Sequence, residues 1–144
     1  MAVSDQTDMS KTILLVEDYD DSREMLKFYL ENLGYRVVEA ANGYDAIEYV
    51  KQVLPDLILM DMSMPEIDGL NATRHIKEIA GKNDLPIICV TAHGDYYSVK
   101  AIEAGCREVV IKPVDLENLR EIIERCTKDK KGVRDSASSF FTAD

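Results

Sequence analysis

Asp56-Leu57-Ile58-Leu59-Met60-Asp61 is an unbroken apolar run held between two acids, with Pro55 before it and a polar loop, Met62 to Asp68, after it. Four apolar residues in a row, without polar alternation, suit a strand covered on both faces, as in a parallel sheet flanked by helices. Three other runs have the same form: Ile13-Leu14-Leu15-Val16, Ile87-Ile88-Cys89-Val90 and Val109-Val110-Ile111. Each ends on a group with chemistry, respectively Glu17-Asp18, Thr91 and Lys112, as the first ends on Asp61. In an open parallel sheet, ligands bind outside the carboxyl ends of the strands. These groups are therefore expected to meet at one site, and the pattern predicts an Mg²⁺-dependent phosphoryl acceptor.

Helical periods separate the strands. After a strand at Thr12 to Val16, a helix opens among Asp20, Asp21 and Ser22, carries Met25, Leu26, Tyr29, Leu30 and Leu33 on one face, and stops at Gly34. A strand from Tyr35 to Ala40 and a turn at Asn42-Gly43 lead to a helix with Ala46, Ile47, Val50 and Val53 inward, ended by Pro55. The strand Asp56 to Asp61 precedes a helix from Gly69 to Ala80 with Ala72, Ile76 and Ile79 on its inner face. A fourth strand begins at Pro86, and a short helix from Asp95 to Ala104 has the weakest apolar face, Tyr96, Val99 and Ile102. After Gly105 come the strand Glu108 to Ile111 and a helix capped by Asp115, with Leu116, Leu119, Ile122, Ile123 and Cys126 inward. Five β/α units predict an α/β fold, a doubly wound five-stranded parallel sheet with five helices. Residues 1–10 read as a disordered leader, 11–127 as the folded domain, and 128–144, which has no apolar period, as a flexible tail. Within that tail, Phe140-Phe141 reads as a disordered end or a short docking motif.

Composition narrows the function. A chain of 144 residues, 46% hydrophobic and 31% charged, fits one globular domain. Its net charge of −10 disfavours direct nucleic-acid binding, which needs a basic footprint. No apolar stretch approaches the roughly 20 residues of a membrane span, and no signal peptide is recognisable, so a cytoplasmic location is expected. Cys89, Cys106 and Cys126 have no metal-type spacing and read as buried, reduced thiols.

Glu17, Asp18 and Asp61 bring three carboxylates to one end of the sheet, which is costly unless a cation sits between them. Mg²⁺ takes oxygen ligands and is commonly held by one or two carboxylates plus phosphate oxygens; Mn²⁺ is the alternative ion. Asp20 and Asp21 read instead as caps of the following helix. Asp61 is the candidate nucleophile toward phosphorus, Lys112 the cation that neutralises phosphoryl charge, and Thr91 a hydroxyl donor to a phosphoryl oxygen.

The elements Val16-Glu17-Asp18, Asp56 to Asp61 continuing through Met62, Ser63, Met64, Pro65, Glu66, Ile67 and Asp68 to Gly69, Val90-Thr91-Ala92, and Lys112-Pro113 together resemble the receiver domain of bacterial response regulators, over roughly Lys11 to Thr127. The resemblance implies that Asp61 is the phosphoacceptor, that Glu17 and Asp18 hold the metal and its water, and that the Ser63 backbone carbonyl is a further ligand. It implies that Thr91 and Lys112 bind the phosphoryl group, that the Lys112-Pro113 bond is cis, and that the sheet has the flavodoxin-like strand order 2-1-3-4-5. It also implies a sensor histidine kinase or histidine phosphotransfer protein as donor, and a protein partner that reads the face formed by the fourth helix, fifth strand and fifth helix. With no output domain expected after Thr127, the resemblance points to a stand-alone regulator, monomeric when unphosphorylated, whose downstream partner is unknown. Such a module dephosphorylates itself slowly. Ser63 and His93 would flank the path of the attacking water, although His93 also reads as a solvated loop residue. Members often place an aromatic residue three positions before the lysine, where this chain has Val109.

Three other functions use parts of the same pattern. A phosphatase of the haloacid-dehalogenase type would need a second Asp where Ser63 stands. A flavodoxin-type carrier would need a phosphate-cradling loop where Glu17-Asp18-Tyr19-Asp20-Asp21 would repel phosphate. A receiver without phosphorylation would have no use for the acid pair, Asp61, Thr91 and Lys112.

Overall fold

The computed structural model describes residues 10–64 and 67–139. Five strands, β1 (Thr12–Val16), β2 (Arg36–Ala40), β3 (Leu57–Asp61), β4 (Ile87–Thr91) and β5 (Glu108–Ile111), alternate with five helices, α1 (Asp20–Asn32), α2 (Gly43–Gln52), α3 (Gly69–Ala80), α4 (Gly94–Ala104) and α5 (Leu116–Ser139). All pairings are parallel, in the order β2-β1-β3-β4-β5. This is the predicted doubly wound sheet.

Alternation along the strands divides the core in two. Leu14, Val16, Ile58, Met60, Ile87 and Cys89 face α2, α3 and α4. Ile13, Leu15, Leu57, Leu59, Ile88 and Val90 face α1 and α5. Strands β3 and β4 are buried along their whole length, which is why they read as continuous apolar runs. Each fully buried Leu or Ile contributes about 1.5–3 kcal/mol relative to exposure.

Local signals set the helix ends. The Asn42 side chain accepts from Asp45 N at 2.8 Å, so the predicted turn at Asn42-Gly43 is the cap of α2. Asp68 caps α3 through Asn71 N at 2.9 Å, and Asp115 accepts from Glu117 N and Asn118 N at 3.0 and 3.2 Å. Gly34, Gly81 and Gly105 follow helix ends with positive φ. Asp20 and Asp21 lie inside the first turn of α1, whose N-cap, Tyr19, makes no side-chain capping bond; there they favour the helix dipole instead.

Several residues predicted to point inward do not. Val53 is 50% exposed because Pro55 ends the helix at Gln52 and leaves Val53 extended. Ile79 lies past the edge of the buried stripe of α3, which Ala72, Thr73, Ile76 and Ala80 define. Met25 and Leu33 are likewise exposed at the margins of α1, where Leu26 and Leu30 carry the burial. The largest correction is in α4. Tyr96, Val99 and Ile102 all face solvent, and the buried side is Ala101 and Ala104. Strict three-residue spacing drifts around a helix of 3.6 residues per turn, so such a row does not make one inner face.

Helix α5 runs to Ser139, beyond Thr127, where the apolar period of the sequence ends. Lys and Arg are good helix formers, and extending an existing helix requires no new nucleation. Most of the predicted leader, and Phe140-Phe141, lie outside the described residues.

Candidate functional site

Strand order reverses at β1, whose neighbours are β2 on one side and β3 on the other, and this opens a crevice above the carboxyl ends of β1 and β3. Register fills it. Val16 pairs with Met60, so Glu17 stands beside Asp61; Asp61 pairs with Val90, so Thr91 follows one step on; Thr91 pairs with Ile111, so Lys112 comes next. The backbone bonds Met62 N to Val90 O, 3.2 Å, and Lys112 N to Thr91 O, 2.8 Å, carry the sheet pairing into these loops.

The predicted residues do converge. One carboxylate oxygen from each of Glu17, Asp18 and Asp61 lies within 4.8 Å of the others. Lys112 Nζ is 3.3 Å from Glu17 Oε1 and 3.9 Å from Asp61 Oδ1. Glu17, Asp61 and Thr91 are buried, Lys112 is partly exposed, and Asp18 is exposed at the mouth. Ser63, predicted to offer its carbonyl, is exposed and donates its amide to Asp61 Oδ1 at 3.2 Å. His93, also exposed, donates its amide to Thr91 Oγ1 at 2.9 Å and is the N-cap of α4. The Lys112-Pro113 bond is cis. Val109 is half-buried against the cluster under α4, where Tyr97 of α4 also packs.

Electrostatics show what the cluster lacks. Burial first, and then the charge of Glu17, push Asp61 up to about 7, against the opposing effects of Lys112 and the Ser63 amide. A carboxyl driven to hold a proton by burial and a neighbouring carboxylate is one that a divalent ion can relieve. All the donors are oxygen, and one is open to solvent, which fits a hard cation that keeps water. The residues therefore fit Mg²⁺.

Two contributors have no role assigned to them from the sequence. Gly69 passes so close to β3 that a Cβ there would lie 2.3 Å from Asp61 O and 2.7 Å from Met62 Cα. In the sequence it stands as the last residue of the family motif and the start of the following helix, with no role attached. Arg23 donates from Nη1 to the backbone oxygen of Glu17 at 2.8 Å. Its position three residues after Asp20 announces only a helix-surface ion pair.

Residues 13–124 match the response regulator receiver domain family. The chemotaxis protein CheY of Thermotoga maritima is 34% identical over 121 residues, covering 83% of this chain and 100% of that protein. The polar-differentiation response regulator DivK of Brucella anthropi is 31% identical over 119 residues, covering 81% and 95%. Among solved structures, the receiver domain of a Pseudomonas aeruginosa sensor histidine kinase, with a magnesium ion coordinated in its active-site cleft, has a TM-score of 0.77 at 32% identity, covering 83% of this chain and 98% of that one. The chain belongs to the response regulator receiver family, a class of phospho-accepting signalling modules.

Proposed function

We propose that Asp61 accepts a phosphoryl group from a phosphohistidine on a sensor kinase or phosphotransfer protein, and that a protein partner reads the result on α4, β5 and α5. One observation carries this: Asp61 is the buried carboxylate on which Glu17, Asp18 and Lys112 converge. Glu17, Asp18 and Asp61, with the Ser63 carbonyl, would hold Mg²⁺, the ion coordinated in the similar Pseudomonas domain. Bound there, the ion supplies positive charge to the phosphoryl oxygens.

The chain's own residues do the rest. An Asp61 oxygen attacks phosphorus as the P–N bond breaks, the electron pair stays on the donor imidazole, and that ring takes a proton from solvent. Lys112, already near Asp61, neutralises charge on the transferred group. Thr91 donates its hydroxyl proton to a phosphoryl oxygen while still accepting from the His93 amide, so its movement draws on the first turn of α4. Ser63 and His93 flank the entry of water and set the rate of self-dephosphorylation. The similarity to CheY and DivK supports a signalling output without choosing between them. No helix among the described residues is long and apolar enough to cross a membrane, in keeping with action in the cytoplasm.

The test is intact-mass spectrometry after incubation with acetyl phosphate and Mg²⁺. A single phosphoryl adduct is expected, absent with EDTA and absent in Asp61→Asn. An adduct that survives in Asp61→Asn would contradict the assignment.

A further inference from the structure

Arg23 takes no part in the chemistry above, yet its guanidinium joins three elements around the acid pair. Nη1 donates to the Glu17 backbone oxygen at 2.8 Å, Nη2 to Asp20 Oδ1 at 2.7 Å, and Nε to Glu39 Oε1 at 3.1 Å. These partners lie just past the end of β1, at the start of α1, and in β2. The Arg23 side chain is only 16% exposed, unlike an ordinary helix-surface arginine.

A peptide unit is planar, so the direction of the Glu17 carbonyl sets the direction in which the chain leaves for Asp18. Asp18 is the exposed member of the cation cluster, and its aim depends on that loop. Arg23 N also donates to Tyr19 O at 3.0 Å, which starts α1 without touching the Glu17–Asp18 peptide, and two further bonds from backbone N–H groups engage Glu17 itself. Glu17 N donates to Ala40 O at 3.1 Å, which fixes the strand end but not the peptide beyond it. Tyr19 N donates to Glu17 Oε2 at 3.2 Å, a bond that draws on the carboxylate a cation needs. The Arg23 bond leaves both carboxylates available. It is also charge-assisted and fork-shaped, which favours fixed geometry.

We propose that Arg23 is a positioning residue for the cation site, holding the Glu17–Asp18 peptide so that both carboxylates face Asp61. This rests on the reading of the cluster as an Mg²⁺ site. Electrostatics and positioning predict opposite signs. Removing Arg23 deletes a positive charge and leaves Asp20 and Glu39 unpaired, which by charge alone strengthens Mg²⁺ binding. Loss of positioning weakens it. Disturbing the groups that orient metal ligands typically costs 10–100-fold in affinity, and about tenfold is expected here.

The experiment is isothermal titration calorimetry of MgCl₂ into the full chain, with thermal melts in EDTA on the same samples. The variants are Arg23→Ala, Arg23→Lys, Glu39→Gln and Asp61→Asn. Arg23→Ala is expected to weaken Mg²⁺ binding about tenfold while still melting cooperatively. Arg23→Lys keeps the charge without the fork and is expected to restore little of the loss, so it decides the matter if Arg23→Ala does not fold. Glu39→Gln, which leaves the bond to Glu17 in place, is expected to stay within about threefold of wild type. Binding in Arg23→Ala or Arg23→Lys as tight as wild type, or tighter, would overturn the proposal. A wild type that binds no Mg²⁺, or binds it independently of Asp61, would overturn the cation site itself and this inference with it.

Discussion

Helices α3 and α4 cover the same half of the core, yet one is sunk into it and the other rests on it. On α3, Gly69, Leu70, Ala72, Thr73, Ile76 and Ala80 are buried; on α4, only Ala101 and Ala104 are. The strands follow suit, with β4 buried throughout and β5 partly open. The firm region ends at Asp61, and Gly69 packs directly on the Asp61 backbone. The loose region begins at His93, tied to Thr91 by one hydrogen bond. On the proposed function, an acceptor at Asp61 must be held still while its signal must move something, and the two regions suit those two needs.

Core truncation should break the symmetry most strongly. Ile76→Ala, at a fully buried site, is expected to cost about 3 kcal/mol in urea denaturation, whereas Ile102→Ala, at a site 51% exposed, is expected to cost under about 0.5 kcal/mol. Equal costs would remove the distinction.

Glycine substitution sharpens it. A Cβ at Gly69 meets backbone, at Asp61 O and Met62 Cα, so Gly69→Ala is expected to cost about 2 kcal/mol and to slow phosphorylation by acetyl phosphate. A Cβ at Gly94 meets the tip of Ile111, at 2.1 Å from Cδ1, and Ile111 is 48% exposed and able to turn away. Gly94→Ala is expected to cost less than half as much and to leave the phosphorylation rate near wild type.

Acidity probes the firm side alone. With Asp61 raised from its ordinary 3.8 to about 7, the folded, metal-free chain retains a proton that the unfolded chain has released. This contribution is full below about pH 4 and is lost as pH rises toward about 7, with a slope of at most about 1.4 kcal/mol per pH unit. Glu17, Asp18 and Lys112 face the same group, and Lys112 opposes the effect. Melts in EDTA should therefore show a fall in stability across that window that is absent in Asp61→Asn. Mg²⁺ should offset the fall, because the ionised carboxylates are its ligands.

The same contrast explains what could be read in advance. Strand β5 from Glu108 to Ile111, helix α3 from Gly69 to Ala80 and the Asp115 cap are local patterns, and the structure has them where the periodicity put them. The meeting of Glu17, Asp61, Thr91 and Lys112 was legible because parallel topology brings strand ends together. Orientation of α4 was not, since alanines at Ala101 and Ala104 carry little hydrophobic signal beside Tyr96, Val99 and Ile102. Arg23 was not, because its bonds run to a backbone oxygen and to Glu39 on another element. The continuation of α5 past Thr127 has no apolar stripe to announce it.

Hydrogen–deuterium exchange with and without acetyl phosphate and Mg²⁺, with the adduct quantified by intact mass in the same samples, tests the account most directly. Phosphorylated chain should show altered exchange in α4 and β5 with α3 unchanged, and no alteration anywhere in Asp61→Asn. A change of equal size in α3, or an adduct that leaves α4 as it was, would contradict the division between a fixed acceptor and a movable reporter.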